Sequence, residues 1–144
     1  MRKFLIATHG TFSLGAKSSL DLIIGPMENV FLIQAYSQEN KGIEDELKAV
    51  LENIGEKDEL VAFTDLMGGS VTNQLLRQVA QQQAFKPNVH IVSGFNLPLL
   101  IEILLADEEE PVTDIIAQAI EAAKEQIVYV NQILNPKEEN DFDD

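Results

Sequence analysis

The sequence predicts an open, doubly wound α/β domain, and three observations carry that expectation. Four short apolar runs, Phe4–Thr8, Val30–Ile33, Leu60–Thr64 and Val89–Ser93, read as buried strands. Between them lie stretches whose apolar residues recur at helical spacing. Two of the runs end on a polar residue followed by a glycine-containing turn, His9-Gly10 and Asp65-Leu66-Met67-Gly68-Gly69-Ser70. Repeated β-α units imply a parallel sheet covered on both faces by right-handed crossovers. With the first strand placed centrally, the order is 2-1-3-4.

Each element has a local reason. After the first strand, Ala16, Leu20, Ile23 and Ile24 form a helical stripe that Gly25-Pro26 stops. A second strand spans residues 29–35. Ile43, Leu47, Val50, Leu51 and Ile54 make one apolar stripe closed by Gly55. The third strand, Leu60–Thr64, leads to a helix with Val71, Leu75 and Val79 on one face. The fourth, Val89–Ser93, ends at Gly94, after which Asn96 can cap a short apolar helix with Pro98 near its start. Pro111 opens a last helix running to about Glu125. The segment Gln126–Leu134 is β-branched and aromatic, which suits a strand. It is expected to join a sheet edge antiparallel, or to add to a neighbouring subunit. Residues 1–135 are expected to form one domain, with 136–144 a loose acidic tail.

At 144 residues, 45% hydrophobic and 24% charged, the composition is that of a soluble globular domain able to bury a core. No apolar stretch could span a bilayer, and the apolar part of the N-terminal strand is too short for a signal-peptide core. The absence of cysteine excludes disulfides and thiolate metal sites. A cytoplasmic location is expected. The net charge of −14 argues against a nucleic-acid partner, because phosphate binding needs clustered Lys and Arg. It is compatible with docking onto a basic protein surface.

The doubly wound order puts the switch point between strands one and three, where His9 and Asp65 end their strands. A carboxylate bonded to one ring nitrogen fixes the tautomer and leaves the other as nucleophile or base. Asp65 could also serve merely as a helix cap. Gly68-Gly69-Ser70 at a helix start offers N–H groups and a hydroxyl suited to phosphate oxygens, or else simply a tight turn. Gly10–Ser18 nearly spells a nucleotide-binding loop, G-x-x-x-x-G-K-[ST], but Ala16 intrudes between Gly15 and Lys17 and displaces the lysine. His90, in mid-strand, is read as structural, and two histidines so placed make no recognisable metal-ligand set.

Three pieces together carry a family resemblance: Ile6-Ala7-Thr8-His9-Gly10, Asp65–Ser70 with Asn73, and Val92-Ser93-Gly94-Phe95-Asn96-Leu97-Pro98-Leu99-Leu100. With them the chain resembles the enzyme IIA component of the mannose family of the bacterial sugar phosphotransferase system, over nearly its whole length. The resemblance implies that His9 accepts a phosphoryl group from the carrier protein HPr and hands it to a IIB component. IIB in turn phosphorylates sugar arriving through the membrane components IIC and IID. It further implies that Asp65 orients His9, and that Ser70, with backbone N–H groups near Gly10, Gly69 and Ser70, holds the phosphoryl oxygens. No cofactor is implied. A homodimer exchanging its last strand is implied as well.

Two departures stand out. Met67 occupies a position where many members carry an aromatic residue, and the sequence ends without a fused IIB domain, so IIB is expected as a separate subunit. The phosphotransfer subunit of a dihydroxyacetone kinase is the runner-up; its usual form lacks the Asn-Leu-Pro-Leu-Leu segment. A non-catalytic regulatory module and a hydrolase are the other readings. The hydrolase is disfavoured because no serine or cysteine nucleophile is placed with comparable clarity.

Overall fold

A computed structural model describes residues 1–36, 42–81 and 88–134. In chain order its elements are β1 (Arg2–His9), α1 (Phe12–Ile24), β2 (Val30–Ala35), α2 (Glu44–Glu52) and β3 (Glu59–Thr64). They continue with α3 (Ser70–Gln81), β4 (Val89–Ser93), α4 (Leu97–Leu105), α5 (Val112–Glu125) and α6 (Val130–Leu134). The four strands form one parallel sheet in the order β2-β1-β3-β4. That is the predicted order, with β1 and β3 adjacent at its centre.

Strand alternation divides the core in two. Phe4 and Ile6 of β1 face the layer of α1, α4 and α5, packing with Leu20, Phe63, Leu100 and Ile115. Leu5 and Ala7 face α2 and α3, packing with Leu47, Leu51, Val71 and Leu75. A sheet covered on both faces needs apolar residues at successive positions, which is why its strands read as unbroken apolar runs. All five residues of the predicted α2 stripe are buried. On α1 the buried line is Ser13, Ala16 and Leu20, whereas Ile23 is exposed. The line continues from Leu20 by four residues to the partly buried Ile24, which turns Ile23 outward. Asn96 caps α4 as expected, its side chain accepting the Leu99 N–H at 3.0 Å.

At the amino ends of the strands, the buried Arg2 side chain gathers the loop between α4 and α5. Its Nε and Nη2 donate to Glu59 Oε1 at 3.3 and 3.2 Å. Nη1 donates to the Asp107 carbonyl at 3.1 Å, and Nη2 to the carbonyls of Glu108 and Glu110 at 3.3 and 2.9 Å.

One expectation needs correcting. Gln126–Leu134 is not a strand in this chain: residues 127–129 have no regular structure, and Val130–Leu134 form α6. A strand is stable only when a neighbour takes its backbone hydrogen bonds, and the segment does not pair with any strand of its own sheet. It therefore falls back on a local helical turn with Ile127, Tyr129, Val130, Ile133 and Leu134 all exposed. The predicted tail, 136–144, lies outside the described residues. No described helix is long and apolar enough to cross a membrane.

Candidate functional site

β1 ends at His9, and the chain turns away at Gly10, whose φ of +57° is a left-handed conformation that glycine adopts without penalty. The turn is fixed from inside. Thr8 Oγ1 accepts the Ser13 N–H at 2.7 Å, and Ser13 Oγ donates to the Ile33 carbonyl at 2.9 Å. β3 runs beside β1 with Ala7 opposite Thr64, so Asp65 leaves its strand next to His9. Asp65 Oδ2 accepts the His9 backbone N–H at 2.9 Å and lies 3.0 Å from His9 Nδ1. Both contacts use Oδ2, the buried Oδ1 has no partner among the described residues, and α3 begins only at Ser70, so Asp65 is not that helix's cap.

Burial pushes the Asp65 carboxyl up, but the His9 backbone N–H, the ring hydrogen bond and the His9 charge together hold it below the usual carboxylate range. An ionised carboxylate only accepts, so Nδ1 carries the proton and the lone pair of the neutral imidazole lies at Nε2. The His9 side chain is 39% exposed against 10% for Asp65. The ring is thus open to solvent while the carboxylate that orients it is covered.

The Asp65–Ser70 turn brings the start of α3 against the ring. Gly68 takes a φ of +77°. Thr72 Oγ1 ties the turn down, lying 2.7 Å from both the Leu66 carbonyl and Thr64 Oγ1. A Cβ built on Gly69 would stand 3.5 Å from His9 Cε1, the carbon between the two ring nitrogens, and 3.3 Å from Leu66 Cβ. The Asn73 N–H reaches back to the Gly69 carbonyl at 3.1 Å, so the Ser70, Val71 and Thr72 N–H groups begin the helix without intrahelical acceptors. Beside His9 there is thus a helix N-terminus suited to an anion.

Of the residues singled out in the sequence, His9, Asp65, Gly69 and Ser70 come together here. Gly10 is adjacent, but its N–H donates to the Ala35 carbonyl at 2.7 Å, which removes it as a free donor. The Gly69 N–H makes a longer turn contact, 3.3 Å to the Leu66 carbonyl. His90, the second residue of the edge strand β4, pairs with Val61 and so lies away from the carboxyl ends of the strands where His9 stands. Lys17 pairs with Asp21 one helical turn on, in keeping with the rejected nucleotide loop.

Sequence reasoning missed Tyr36. It follows β2 directly, and its φ of +61° is the only positive value at a non-glycine among the described residues. Its ring centroid lies 5.7 Å from that of His9 at a 36° tilt. The Tyr36 hydroxyl is 2.9 Å from Ser70 Oγ and 2.8 Å from Gln74 Nε2. The signal was topological: β2 flanks β1, so the residue after Ala35 falls beside the residue after His9. Around the site, Phe12 stacks on Phe95 with centroids 5.3 Å apart, and Phe12, Leu66 and Met67 are exposed.

Fold and site together define a doubly wound α/β protein with a carboxylate-oriented histidine at the switch point of its sheet. The family model for the fructose IIA component of the phosphotransferase system (mannose-type IIA) matches residues 3–120, and the chain belongs to that family of phosphotransferase components. It is 26% identical to the fructose-specific EIIA component of Bacillus subtilis, over 81% of this chain and 77% of that protein. It is 27% identical to the mannose-specific EIIAB component of Escherichia coli, over 84% of this chain but only 37% of the longer relative. Among solved structures, a Klebsiella pneumoniae chain put forward as a phosphoenolpyruvate-dependent sugar phosphotransferase system permease superimposes with a TM-score of 0.82. It is 33% identical, with 92% and 93% of the two chains covered. The IIA protein associated with the fucose utilization operon of Streptococcus pneumoniae gives a TM-score of 0.75 at 28% identity, covering 93% and 96%.

Proposed function

We propose that this IIA component is a phosphohistidine carrier of sugar uptake. His9 takes a phosphoryl group from HPr at Nε2 and passes it to a IIB component, which phosphorylates the incoming sugar. The observation that carries the reading is the His9 Nδ1–Asp65 Oδ2 contact of 3.0 Å, which leaves Nε2 as the nucleophilic atom of an exposed ring. The Nε2 lone pair forms the new N–P bond as the P–N bond to the donor histidine breaks, and the donor imidazole leaves with that electron pair. The ring becomes cationic in character, and ionised Asp65 balances it.

Phosphoryl transfer rests on position and on charge stabilisation over three oxygens. The Ser70 hydroxyl and the free N–H groups at the start of α3 supply donors for those oxygens. The Gly10 amide, already bonded to Ala35, is left out of that set. The exposed Phe12, Leu66 and Met67 offer an apolar rim for the two protein partners in a strongly acidic chain. The reading places the protein in the cytoplasm, where HPr and IIB meet it, with IIC and IID acting only through IIB.

The same reading includes a homodimer. The exposed apolar side chains of residues 127–134 and the edge of β4, unpaired among the described residues, complement each other, and an exchange between two copies satisfies both. A cavity of about 160 Å³ beside that edge, lined by Ser93, Asn96, Leu99 and Ile127, has room for side chains of the exchanged segment. The buried Ser93 Oγ lacks a partner among the described residues.

Incubation with phosphoenolpyruvate, enzyme I and HPr, followed by intact-mass measurement, tests the carrier function. One acid-labile, base-stable phosphoryl group is expected on the wild type and on His90→Ala, and none on His9→Ala. Label persisting on His9→Ala would remove His9 from the reaction.

A further inference from the structure

We infer that Tyr36 and Gln74 are positioning residues that commit the Ser70 hydroxyl to donate toward the group carried by His9. The inference rests on the carrier reading above and assigns residues that reading does not use.

Gln74 Nε2 can only donate, so the Tyr36 hydroxyl oxygen accepts from it at 2.8 Å. The single Tyr36 proton then goes to Ser70 Oγ, 2.9 Å away. Ser70 Oγ is thereby an acceptor within the chain and keeps its own proton, for which there is no other acceptor among the described residues. The sequence Gln74 to Tyr36 to Ser70 ends in a donor whose O–H is turned away from Tyr36 before any anion arrives. Each bond polarises the next, so the terminal O–H is a better donor than an isolated serine's. Without Tyr36 the Ser70 hydroxyl is a free rotor, and part of its strength is lost in orienting it.

The backbone supports this assignment. Tyr36 holds a left-handed φ of +61° that a bulky residue rarely adopts, and such strain persists where the surroundings over-determine it. What over-determines it here is the two-ended hydroxyl network together with the His9 ring on which the tyrosine rests. One side chain therefore touches the imidazole through its ring and the serine through its hydroxyl.

Tyr36→Phe removes the hydroxyl and keeps the ring. Rapid-quench transfer from phosphorylated HPr is measured on wild type, Tyr36→Phe, Ser70→Ala and the double variant. Tyr36→Phe should slow transfer by about 10-fold, within the worth of one hydrogen bond to a charged oxygen. In the Ser70→Ala background it should cost nothing further. Gln74→Leu should give a smaller loss that also vanishes without Ser70. The phosphohistidine ³¹P resonance should move in Tyr36→Phe and stay fixed when the same change is made on Ser70→Ala, an effect that general loosening of the fold does not produce. Wild-type rates in Tyr36→Phe, or losses that simply multiply with that of Ser70→Ala, overturn the assignment while leaving the carrier reading intact. A wild-type protein that accepts no phosphoryl group from HPr overturns both.

Discussion

Asp65 Oδ2 accepts the backbone N–H of His9 at 2.9 Å and lies 3.0 Å from the ring nitrogen of the same residue. The two contacts close a small loop between neighbouring strands. The backbone bond fixes where the histidine starts, and the ring contact fixes where it points.

Asp65→Asn tests that geometry. The amide keeps the shape but can present its N–H₂ to Nδ1, which favours the other tautomer and places the proton on Nε2. The variant should fold and transfer the phosphoryl group roughly 10²–10⁴-fold more slowly, the usual worth of an orienting group in proton and charge placement. Rapid-quench kinetics with phosphorylated HPr measure this. Near-normal transfer would reduce Asp65 to a structural tie.

The same carboxylate makes stability depend on pH. Its folded value lies below the ordinary 3.8, so the folded state favours the ionised form. The linked stability is fully present above the unfolded value and is lost as pH falls through the folded one. Denaturant unfolding of wild type and Asp65→Asn should therefore show a larger gap at about pH 5 than at about pH 2.5. A gap that stays constant into acid would mean that Asp65 gains nothing from His9.

Arg2→Met should leave phosphoryl transfer intact and cost about 1–3 kcal/mol of stability, the scale of hydrogen bonds to a charged group. The loss lies mainly with the carbonyls of Asp107, Glu108 and Glu110, since Glu59 is 35% exposed and its ion pair is screened by solvent. Thermal or urea unfolding beside a transfer assay separates the two effects. Impaired transfer at full stability would contradict this division.

The C-terminal segment gives the fourth prediction. Removing residues 126–144 should produce monomers or aggregates, because the edge of β4 and its cavity lose their cover. Removing only 136–144 should leave a dimer. Light scattering reads both, and a monomeric full-length chain at micromolar concentration would rule out the exchange.

The sheet was legible in the sequence because a parallel strand buried on both faces leaves a nearly continuous apolar run, clearest in the central strands β1 and β3 and interrupted by His90 in the edge strand β4. His9 and Asp65 were legible because strand order alone makes their ends neighbours. Tyr36 was not, since its importance depends on a left-handed backbone and on a hydroxyl meeting Ser70 and Gln74 across the crevice. The Gly10 amide looked like a donor until the register of β2 placed the Ala35 carbonyl in front of it. Residues 126–134 misled for a different reason. Their composition encodes a preference for extended pairing, but within one chain the segment joins no strand and residues 130–134 turn helical.

Arg2 and His9 stand at opposite ends of one strand. The arginine side chain secures a loop mainly through the carbonyl groups of residues 107, 108 and 110, whose acceptance does not depend on the side chains those residues carry. The histidine end depends on the identity of nearly every side chain it meets. Variation can therefore accumulate around the arginine end, adjusting how firmly the domain holds together, without disturbing the edge that carries His9. The β1 strand works as a spacer that insulates the two kinds of constraint from each other.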